Sequence, residues 1–310
     1  MPTPKPSPGS KVRARLEIPN STVSLPYTRI VGPMPGPNLL VTGGVHGGEY
    51  PGIESAIRFA QALDPNRIRG SVTVVHMANP PAFFAKAQYL VPEDGKNLNR
   101  VFPGRTDGTL AERIASSVMS LARECQYWVD LHGGDIHEAL TPFVIYSDQG
   151  GREVVERSRA MAQAYGIPYI LESSSIGGST YATGAGIGIP SILAEAGGAG
   201  QLEESAVQTH LRGLENILRL LELVPDPVSN TEESPILRQF VWNHADTAGL
   251  FYPKVRVGQQ IRAGAVAGRI RDEYGDLIED VVAPQSGVVL FVVTSLAINR
   301  GDPLFAVAGE

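Results

Sequence analysis

Strand-like and helix-like hydrophobic patterns alternate along the first two thirds of the chain. Residues 11–18 alternate apolar and polar positions, which predicts an edge strand, and residues 25–31 predict a second. Beyond them, short β-prone apolar runs are followed by stretches of helical spacing. The predicted strands are residues 39–42, 71–77, 127–131, 142–146, 169–171 and 191–194, and the predicted helices are residues 52–63, 109–124, 153–165 and 202–223.

This alternation predicts an α/β fold with a mostly parallel, mixed sheet and helices on both faces. The pattern changes at Pro225 and Pro227, and from residue 233 onward short apolar runs lie between glycines and prolines. We therefore predict a disordered leader at 1–10, a first domain at 11–228 and a small β-sandwich or barrel domain at 229–310. Its predicted strands are residues 255–258, 265–270, 287–293 and 304–307.

Composition narrows the set of partners and compartments. Hydrophobic residues make up 43% of the 310 residues, charged residues 19%, and the net charge is −6. That balance favours neither nucleic acid nor an anionic membrane as a partner, and the sequence has neither a spanning apolar run nor a secretory signal. A single cysteine, Cys125, excludes an internal disulfide and fits a reducing cytoplasm. Beside an apolar strand, it is predicted to be a buried structural thiol and not a nucleophile.

The first chemically suggestive segment is the glycine-rich turn that carries His46 and Glu49. It follows the strand at 39–42 and precedes a helix, so both side chains lie at the carboxyl end of a strand, where α/β sheets bind ligands. An imidazole and a carboxylate at this spacing can bind one zinc ion. On its own the motif is short and favours a glycine-rich turn with an incidental histidine and a helix-capping glutamate over a metal site.

Two further strand ends favour the zinc site over the alternative of a simple turn and helix cap. His132 follows the strand at 127–131, and Glu195 follows the strand at 191–194. His46, Glu49 and His132 would give one zinc ion per chain three protein ligands and leave a position for water. Glu195 would then accept the proton of that water, and Asp130 would hydrogen-bond a metal-binding imidazole.

A long segment of residues 78–104 contains four prolines and little periodicity, which predicts a functional loop. It carries Asn99 and Arg100, and Arg100 can hold a substrate carboxylate through two hydrogen bonds. The remaining histidines are predicted to be structural; they are His76, His137, His210 and His244.

Five segments resemble the succinylglutamate desuccinylase/aspartoacylase family, a branch of the zinc carboxypeptidase-like hydrolases. In family order they are 44–49 (GVHGGE), 79–83 (NPPAF), 94–104 (DGKNLNRVFPG), 130–134 (DLHGG) and 195–198 (EAGG). The resemblance implies that His46, Glu49 and His132 bind zinc and that Glu195 is the general base and acid. It implies that Asn99 and Arg100 hold the substrate carboxylate and that Arg100 helps to polarise the scissile carbonyl.

The resemblance also extends to the C-terminal region, which is similar to the small, lipoyl-carrier-like domain of this family. The carrier's modified lysine is absent from the turn at 283–287 (APQSG), so we expect no attached cofactor.

Two departures bear on the substrate. Gln88 stands where close relatives often carry an arginine, and the segment 184–190 (GAGIGIP) lacks the arginine that precedes the catalytic glutamate of an aspartoacylase. The second carboxylate of an N-acylaspartate would then lack a cation, so we expect a less acidic N-acyl amino acid or related amide.

Three functions remain open at this stage. The first is a zinc-dependent amidohydrolase acting on a small N-acyl amino acid or amide. The second is a carboxypeptidase with the same metal centre, acting on short peptides. The third is a non-catalytic zinc-binding module. The donor set also suits iron or cobalt, and the oligomeric state is open, with a homo-oligomer among the possibilities.

Overall fold

The computed structural model describes residues 6–174, 176–227 and 233–310. Residues 1–5 of the predicted leader and the predicted boundary at 228/229 lie outside these ranges. Ser10, the last residue of the predicted leader, begins the first strand. No helix in the described part of the chain has the length and apolar character needed to cross a membrane.

A nine-stranded mixed sheet organises the first part of the chain. Its strands are β1 (Ser10–Glu17), β2 (Ser24–Val31), β3 (Met34–Gly43), β4 (Arg69–Val75), β7 (Tyr127–His132), β9 (Phe143–Ser147), β10 (Tyr169–Ser173), β11 (Ser191–Glu195) and β12 (Ile236–Leu237). Three short strands of this part lie outside the sheet; they are β5 (Leu90–Val91), β6 (Lys96–Asn97) and β8 (Glu138–Leu140).

The order across the sheet is β1-β2-β4-β3-β7-β11-β9-β10-β12. The four strands β4, β3, β7 and β11 run parallel to one another, so their carboxyl ends meet at one edge. Strands β1 and β2 are antiparallel, as is the pairing of β11 with β9. The prediction of a mostly parallel, mixed sheet is confirmed for this part of the chain.

Helices cover both faces of the sheet because side chains of successive strand residues point to opposite faces. The helices are α1 (Tyr50–Ala62), α2 (Pro80–Ala85), α3 (Leu110–Ala122), α4 (Arg152–Tyr165), α5 (Thr180–Gly186) and α6 (Glu204–Leu220). Leu39 and Val41 of β3 pack with α1, α4 and α6, whereas Leu40 between them packs with α3. Helix α3 begins after Thr109, whose backbone N–H donates to Glu112 as the predicted capping box requires.

The long segment 78–104 is more ordered than the sequence predicts. It contains α2, the hairpin pair β5 and β6, and a 3₁₀ turn at Leu98–Arg100. Asn79 caps α2 by accepting a hydrogen bond from the backbone of Ala82 at 3.2 Å. Such short elements carry too few residues for periodicity to reveal them, because their order comes from side-chain caps.

The C-terminal β region, residues 239–310, contains strands and no helix. Its strands are β13 (Gln239–His244), β14 (Gly249–Pro253), β15 (Gln260–Ile261), β16 (Val266–Arg271), β17 (Leu277–Val282), β18 (Gly287–Val293), β19 (Ala297–Ile298) and β20 (Pro303–Gly309). They form one sheet of order β13-β20-β18-β15 and another of order β17-β16-β14-β19, packed around a shared core. The predicted strand at 255–258 is wrong, because this run is a turn region between β14 and β15.

One strand pairing joins the C-terminal β region to the first part of the chain, and a further short strand lies just before that region. Strand β8, which lies six residues after His132, pairs with β18, and Leu140 is opposite Phe291. Strand β12, beyond the predicted boundary, extends the large sheet beside β10. The C-terminal β region is therefore anchored next to the segment that carries His132.

Candidate metal centre and active site

The predicted site residues converge at the carboxyl edge of three neighbouring parallel strands. The turn after β3 carries His46 and Glu49, β7 ends in His132, and β11 ends in Glu195. Strand β7 lies between the other two, and His132 is the direct cross-strand partner of Glu195. The parallel register alone thus places these groups together, as the sequence predicts.

The turn after β3 is shaped so that Glu49 points into the site. Glu49 occupies the N-cap position of α1, yet its carboxylate makes no capping hydrogen bond. It lies instead 2.7 Å from His46 Nδ1 and 2.8 Å from His132 Nδ1. A Cβ atom on Gly48 would lie 2.0 Å from the Asp135 carboxylate, so this approach needs a glycine. These contacts rule out a role for Glu49 as a simple helix cap.

His46, Glu49 and His132 form a three-residue cluster whose donor atoms lie within 4.8 Å of one another. All three residues are buried. Two nitrogen donors and a carboxylate are a ligand set that Zn²⁺ accepts.

Hydrogen bonds behind the imidazoles fix which nitrogen faces Glu49. Asn97 Oδ1 accepts from the backbone of Asn99 at 2.8 Å, which identifies this atom as the oxygen. His46 Nε2, 3.0 Å from the same oxygen, must therefore carry a proton and donate. Asp130 Oδ2 accepts from His132 Nε2 at 2.8 Å in the same way, as predicted for Asp130. Both imidazoles thus present Nδ1 to Glu49.

The Nδ1 atoms and the Glu49 oxygens are all electron-pair donors, so their close approach needs a positive charge among them. Burial opposes ionisation of Glu49, but the two imidazoles outweigh burial and lower its pKa to about 2. Burial likewise opposes protonation of His132, but Glu49 and Asp130 outweigh it and raise the pKa of His132 well above its ordinary value. The three residues are therefore a candidate site for a divalent metal ion.

Glu195 stands beside this cluster with an oxygen that has no protein partner. Its Oε2 is buried and makes no hydrogen bond within the described part of the chain. Burial and the charge of Glu49 raise the pKa of Glu195 well above its ordinary value. An unpartnered buried carboxylate oxygen is costly, and it is the kind of group that accepts a proton from a substrate or water.

Asn99 and Arg100 lie on the 3₁₀ turn that faces the cluster. Asn99 Oδ1 accepts from the backbone of Thr180 at 2.9 Å, so the amide nitrogen of Asn99 is left to donate toward a ligand. Arg100 uses one N–H, on Nη1, to bind the Asn99 carbonyl at 2.7 Å. A guanidinium has five N–H donors, and its remaining donors suit a substrate carboxylate.

Residues that sequence reasoning missed complete the surroundings of His132. The Asp130 carboxylate also accepts from Thr42 and from Thr180, the latter at 2.6 Å. His210, predicted to be structural, lies 2.9 Å from the His132 carbonyl through Nε2 and 3.0 Å from the Tyr165 hydroxyl through Nδ1. Asn97 lies in the 94–104 segment, where the sequence pattern predicts no role for it. Only the neighbouring strands reveal these contacts, since the partners lie far apart in sequence.

Two further predictions concern side chains outside the site, and Cys125, predicted to be buried, is half-buried. Burial raises the pKa of Cys125 to about 12, so its thiol stays protonated and is no nucleophile. Burial lowers the pKa of His76 to about 4, and His76 binds Thr28 at 2.9 Å, away from the cluster. Neither residue is part of the metal cluster.

A cavity of about 400 Å³ opens from this centre. His46, His132, Glu195 and Arg100 line one end. The other walls are mostly apolar and are formed by Leu140, Phe143, Ile145, Leu171 and Leu193, together with Phe240, Trp242 and Phe291 of the C-terminal β region. Its size and its mixture of polar and apolar walls are typical of a small-molecule site.

Comparison with known proteins agrees with this geometry. Residues 35–221 match the succinylglutamate desuccinylase/aspartoacylase catalytic domain. The chain belongs to the succinylglutamate desuccinylase/aspartoacylase family. The matched range contains every residue of the predicted site, from His46 to Glu195. Members of the family are amide-bond deacylases.

Relatives in this family act on acylated amino acids. The chain is 28% identical, over 92% of its length and 86% of the relative's, to N-alpha-acetyl-L-2,4-diaminobutyric acid deacetylase of Halomonas elongata. It is 26% identical, over 64% of its length and 60% of the relative's, to succinylglutamate desuccinylase of Pseudomonas paraeruginosa. The product-bound structure of the ectoine utilization protein EutE (DoeB) from Ruegeria pomeroyi superposes with a TM-score of 0.92, at 25% identity, over 100% of this chain and 98% of that one.

Proposed function

We propose that this protein is a zinc-dependent amidohydrolase that removes the acyl group from a small N-acyl amino acid or related amide. The observation that carries the proposal is the convergence of His46, Glu49 and His132 next to the unpartnered oxygen of Glu195. A metal-binding set beside a proton acceptor is what hydrolysis of an amide at neutral pH requires. The deacylase relatives support the same reaction class.

His46, Glu49 and His132 would hold the metal, which would supply a Lewis acid and a water of low pKa. Glu195 takes a proton from the attacking water, and the resulting hydroxyl adds to the acyl carbon. The carbon–nitrogen bond then breaks as Glu195 returns the proton to the departing nitrogen. The products are a carboxylic acid and the free amine of an amino acid, so one water is consumed for each bond cleaved.

The positively charged residues of the cavity limit the number of carboxylates that a substrate can carry. Arg238, on the cavity wall, lies 3.0 Å from Glu172 and is neutralised by it. Gln88 and the segment 184–190 do not line the cavity. Arg100, with Asn99, is therefore positioned for one substrate carboxylate. We infer an N-acyl amino acid with a single carboxylate in preference to N-acetylaspartate or N-succinylglutamate, and the Halomonas relative supports an acetyl group.

The decisive experiment measures hydrolysis of a panel of N-acetyl amino acids by protein of known metal content. We expect a chelator to abolish amine release and zinc to restore it. Glu195→Gln should still bind metal but lose about 10²–10⁴-fold in kcat, because Gln cannot carry the proton. Glu203→Gln, an exposed glutamate just before α6, is the matched control and should retain full activity.

Three results would change the proposal. Dipeptides cleaved faster than every N-acyl amino acid would favour a carboxypeptidase. Metal-loaded protein that hydrolyses neither amides nor peptides would favour a binding module. Full activity of Glu195→Gln would remove the general base from the mechanism.

A further inference from the structure

Three aromatic side chains of the C-terminal β region form one wall of the cavity. Phe240 and Trp242 lie two residues apart on β13, with ring centroids 5.2 Å apart, and Phe291 on β18 lies 4.7 Å from Trp242. We call Phe240, Trp242 and Phe291 the aromatic wall. Trp242 remains 38% exposed, so part of its ring is available to a ligand.

The strand order of the C-terminal β region brings these rings together. Strand β20 separates β13 from β18, and Ala306 of β20 is opposite both Trp242 and Phe291. The small side chain of Ala306 lets the two rings meet across the strand. A register shift between Val289 and Phe291 helps to turn Phe291 toward the cavity.

The aromatic wall is tied to the catalytic end of the cavity. Phe291 pairs across the strands with Leu140, which lies on β8 beyond His132. The large sheet contributes Phe143 and Leu193 to the same cavity, and both belong to the apolar cluster against which Phe240 packs. Glu195 also lines this cavity. A substrate bound at the metal end would therefore extend along a continuous apolar surface.

Away from the metal end, no carboxylate among the described lining residues is free to pair with a substrate cation. The carboxylates among these residues are Glu172 and Glu195. Glu172 accepts from the Tyr146 hydroxyl through Oε2 and from Arg238 through Oε1. An ammonium group against the aromatic wall would gain a cation–π contact but lose its water without an ionic partner. An uncharged group gains from burial at no such cost.

We propose that the aromatic wall binds a bulky, uncharged apolar group of the substrate and that Trp242 is a specificity-determining residue. The inference rests on the proposed amidohydrolase function and names its substrate class: N-acyl amino acids in which either the side chain or the acyl group is large and apolar. Both sources present the same hydrocarbon surface to the rings.

Two substrate series on zinc-loaded wild-type protein separate the sources. One lengthens the side chain from N-acetylalanine through N-acetylnorvaline to N-acetylnorleucine. The other lengthens the acyl group on alanine from acetyl through butanoyl to hexanoyl. We expect kcat/KM to rise about fourfold per methylene in one series, which then identifies the group on the aromatic wall. A flat dependence in both series would overturn the proposal.

A charged isostere tests the second half of the proposal. N-acetyl-2,4-diaminobutyrate and N-acetylnorvaline have side chains of the same length that end in an ammonium and a methyl group. If the side-chain series shows the rise, we expect the norvaline derivative to be preferred at least tenfold. If the acyl series shows it, N-hexanoylalanine should be preferred over N-(5-aminopentanoyl)alanine by the same factor. Preference for the charged member of the relevant pair, which for the side chain is the diaminobutyrate derivative for which the Halomonas relative is named, would overturn the requirement for an uncharged group.

Variants assign the effect to Trp242. Trp242→Ala should reduce the ratio of kcat/KM between the longest and shortest substrates at least tenfold, and Trp242→Phe should restore most of that ratio. Tyr252→Ala removes an aromatic ring that is 43% exposed on β14 and does not line the cavity, so it should leave the ratio unchanged. An unchanged ratio in Trp242→Ala, with the protein shown to be folded by its melting temperature, would overturn the assignment.

Product binding tests the aromatic wall without turnover. Trp128 is 1% exposed, whereas Trp242 faces the cavity, so fluorescence changes on ligand binding report Trp242. Norleucine or hexanoate should change the emission of the wild type but not of Trp242→Phe, and 2,4-diaminobutyrate should not. Such binding with no hydrolysis of any substrate would reject the amidohydrolase while retaining the aromatic wall. Hydrolysis of small substrates with no emission change would reject the aromatic wall alone.

Discussion

At the scale of single residues, the proposed metal centre depends on groups that are not among its three donor residues. Asn97 accepts a hydrogen bond from Nε2 of His46, and Asp130 accepts one from Nε2 of His132, on the side of each ring that faces away from Glu49. This fixes the tautomer of each ring and turns Nδ1 toward Glu49. The Asn97 oxygen is itself fixed by the backbone N–H of Asn99, so the metal end and the carboxylate-binding turn share one hydrogen-bonded segment.

Replacing Asn97 should weaken the metal site without removing a ligand. In Asn97→Ala, His46 loses the acceptor for Nε2–H and can rotate or change tautomer. We expect metal affinity to fall about 10–100-fold, as measured by competition with a chelating dye. Asn66→Ala, at an exposed turn between α1 and β4, should match the wild type. Equal affinity of Asn97→Ala and wild type would show that His46 is held by packing alone.

Glu138 should make stability depend on pH. Burial is the main cause that raises its pKa from 4.5 to about 8. Between pH 4.5 and pH 8 the folded protein keeps a proton that the unfolded chain releases. The free energy of unfolding therefore falls as pH rises through this range, and the whole destabilisation by Glu138 is present above pH 8. Glu138→Gln keeps an acceptor for the Asp135 N–H and should raise the free energy of unfolding at pH 8.5 by about 1–3 kcal/mol.

That gain should shrink at low pH. At pH 4.5 the wild-type side chain is protonated in the folded state as well, so the two proteins should differ little. Denaturant unfolding at both pH values, on metal-free protein, makes the comparison. A gain of equal size at both pH values would assign the effect to packing and not to the proton on Glu138.

Sequence reasoning predicts which residues converge at the candidate site but not the residues that hydrogen-bond to them. His46, Glu49, His132 and Glu195 each follow a recognisable strand, so topology alone predicts their meeting. Asn97, Thr42 and Thr180 have no such signal, because each acts through a contact between elements more than 40 residues apart in the chain. Hydrogen bonds of this kind depend on strand order, which periodicity does not give.

At the scale of elements, the turn between β3 and α1 is the most constrained part of the site. Gly48 leaves no room for a Cβ atom, because the carboxylate of Asp135 occupies that position. Asp135 in turn accepts from the backbone of Tyr89 at 2.8 Å, and the Tyr89 ring meets His46 edge to face. One glycine thus allows three segments to pack around the metal cluster.

Gly48→Ala should separate these segments. The added Cβ, 2.0 Å from Asp135 Oδ1, must displace either the turn or the carboxylate. We expect a loss of about 1–3 kcal/mol in stability and weaker metal binding. Gly186→Ala, at the end of α5, meets no atom within 4 Å and should be neutral or slightly stabilising. Melting temperature and metal content check both variants, and an unaffected Gly48→Ala would contradict the tight contact.

Long elements were predictable and short ones were not. The helices α3, α4 and α6 have enough turns for their apolar stripe to stand out, and their predicted positions agree with the structure within a few residues. Strands β8 and β12 have three and two residues, and both exist because a neighbouring strand offers a free edge. They lie where the first part of the chain meets the C-terminal β region, and sequence periodicity does not predict either of them.

At the scale of the whole molecule, one buried cluster couples metal binding to folding. Glu49 and Asp130 lie in the interior with His46 and His132, and their charges are balanced best when a cation is present. The same strand ends tie β3, β7 and β11 together at the centre of the sheet. Metal that binds this cluster binds the folded chain only, because the donors come from separate elements.

Removing the metal should therefore lower thermal stability. At a free metal concentration about 1,000 times Kd, binding contributes about 4 kcal/mol, so we expect a chelator to lower Tm by about 5–15 °C. Glu195→Gln should keep this difference, since Glu195 is no ligand, whereas Glu49→Gln should lose most of it. Equal Tm values for metal-loaded and metal-free wild type would place the ion elsewhere than among these donors. A shift in wild type and Glu195→Gln, but not in Glu49→Gln, would separate the residues that hold the metal from the residue that moves the proton.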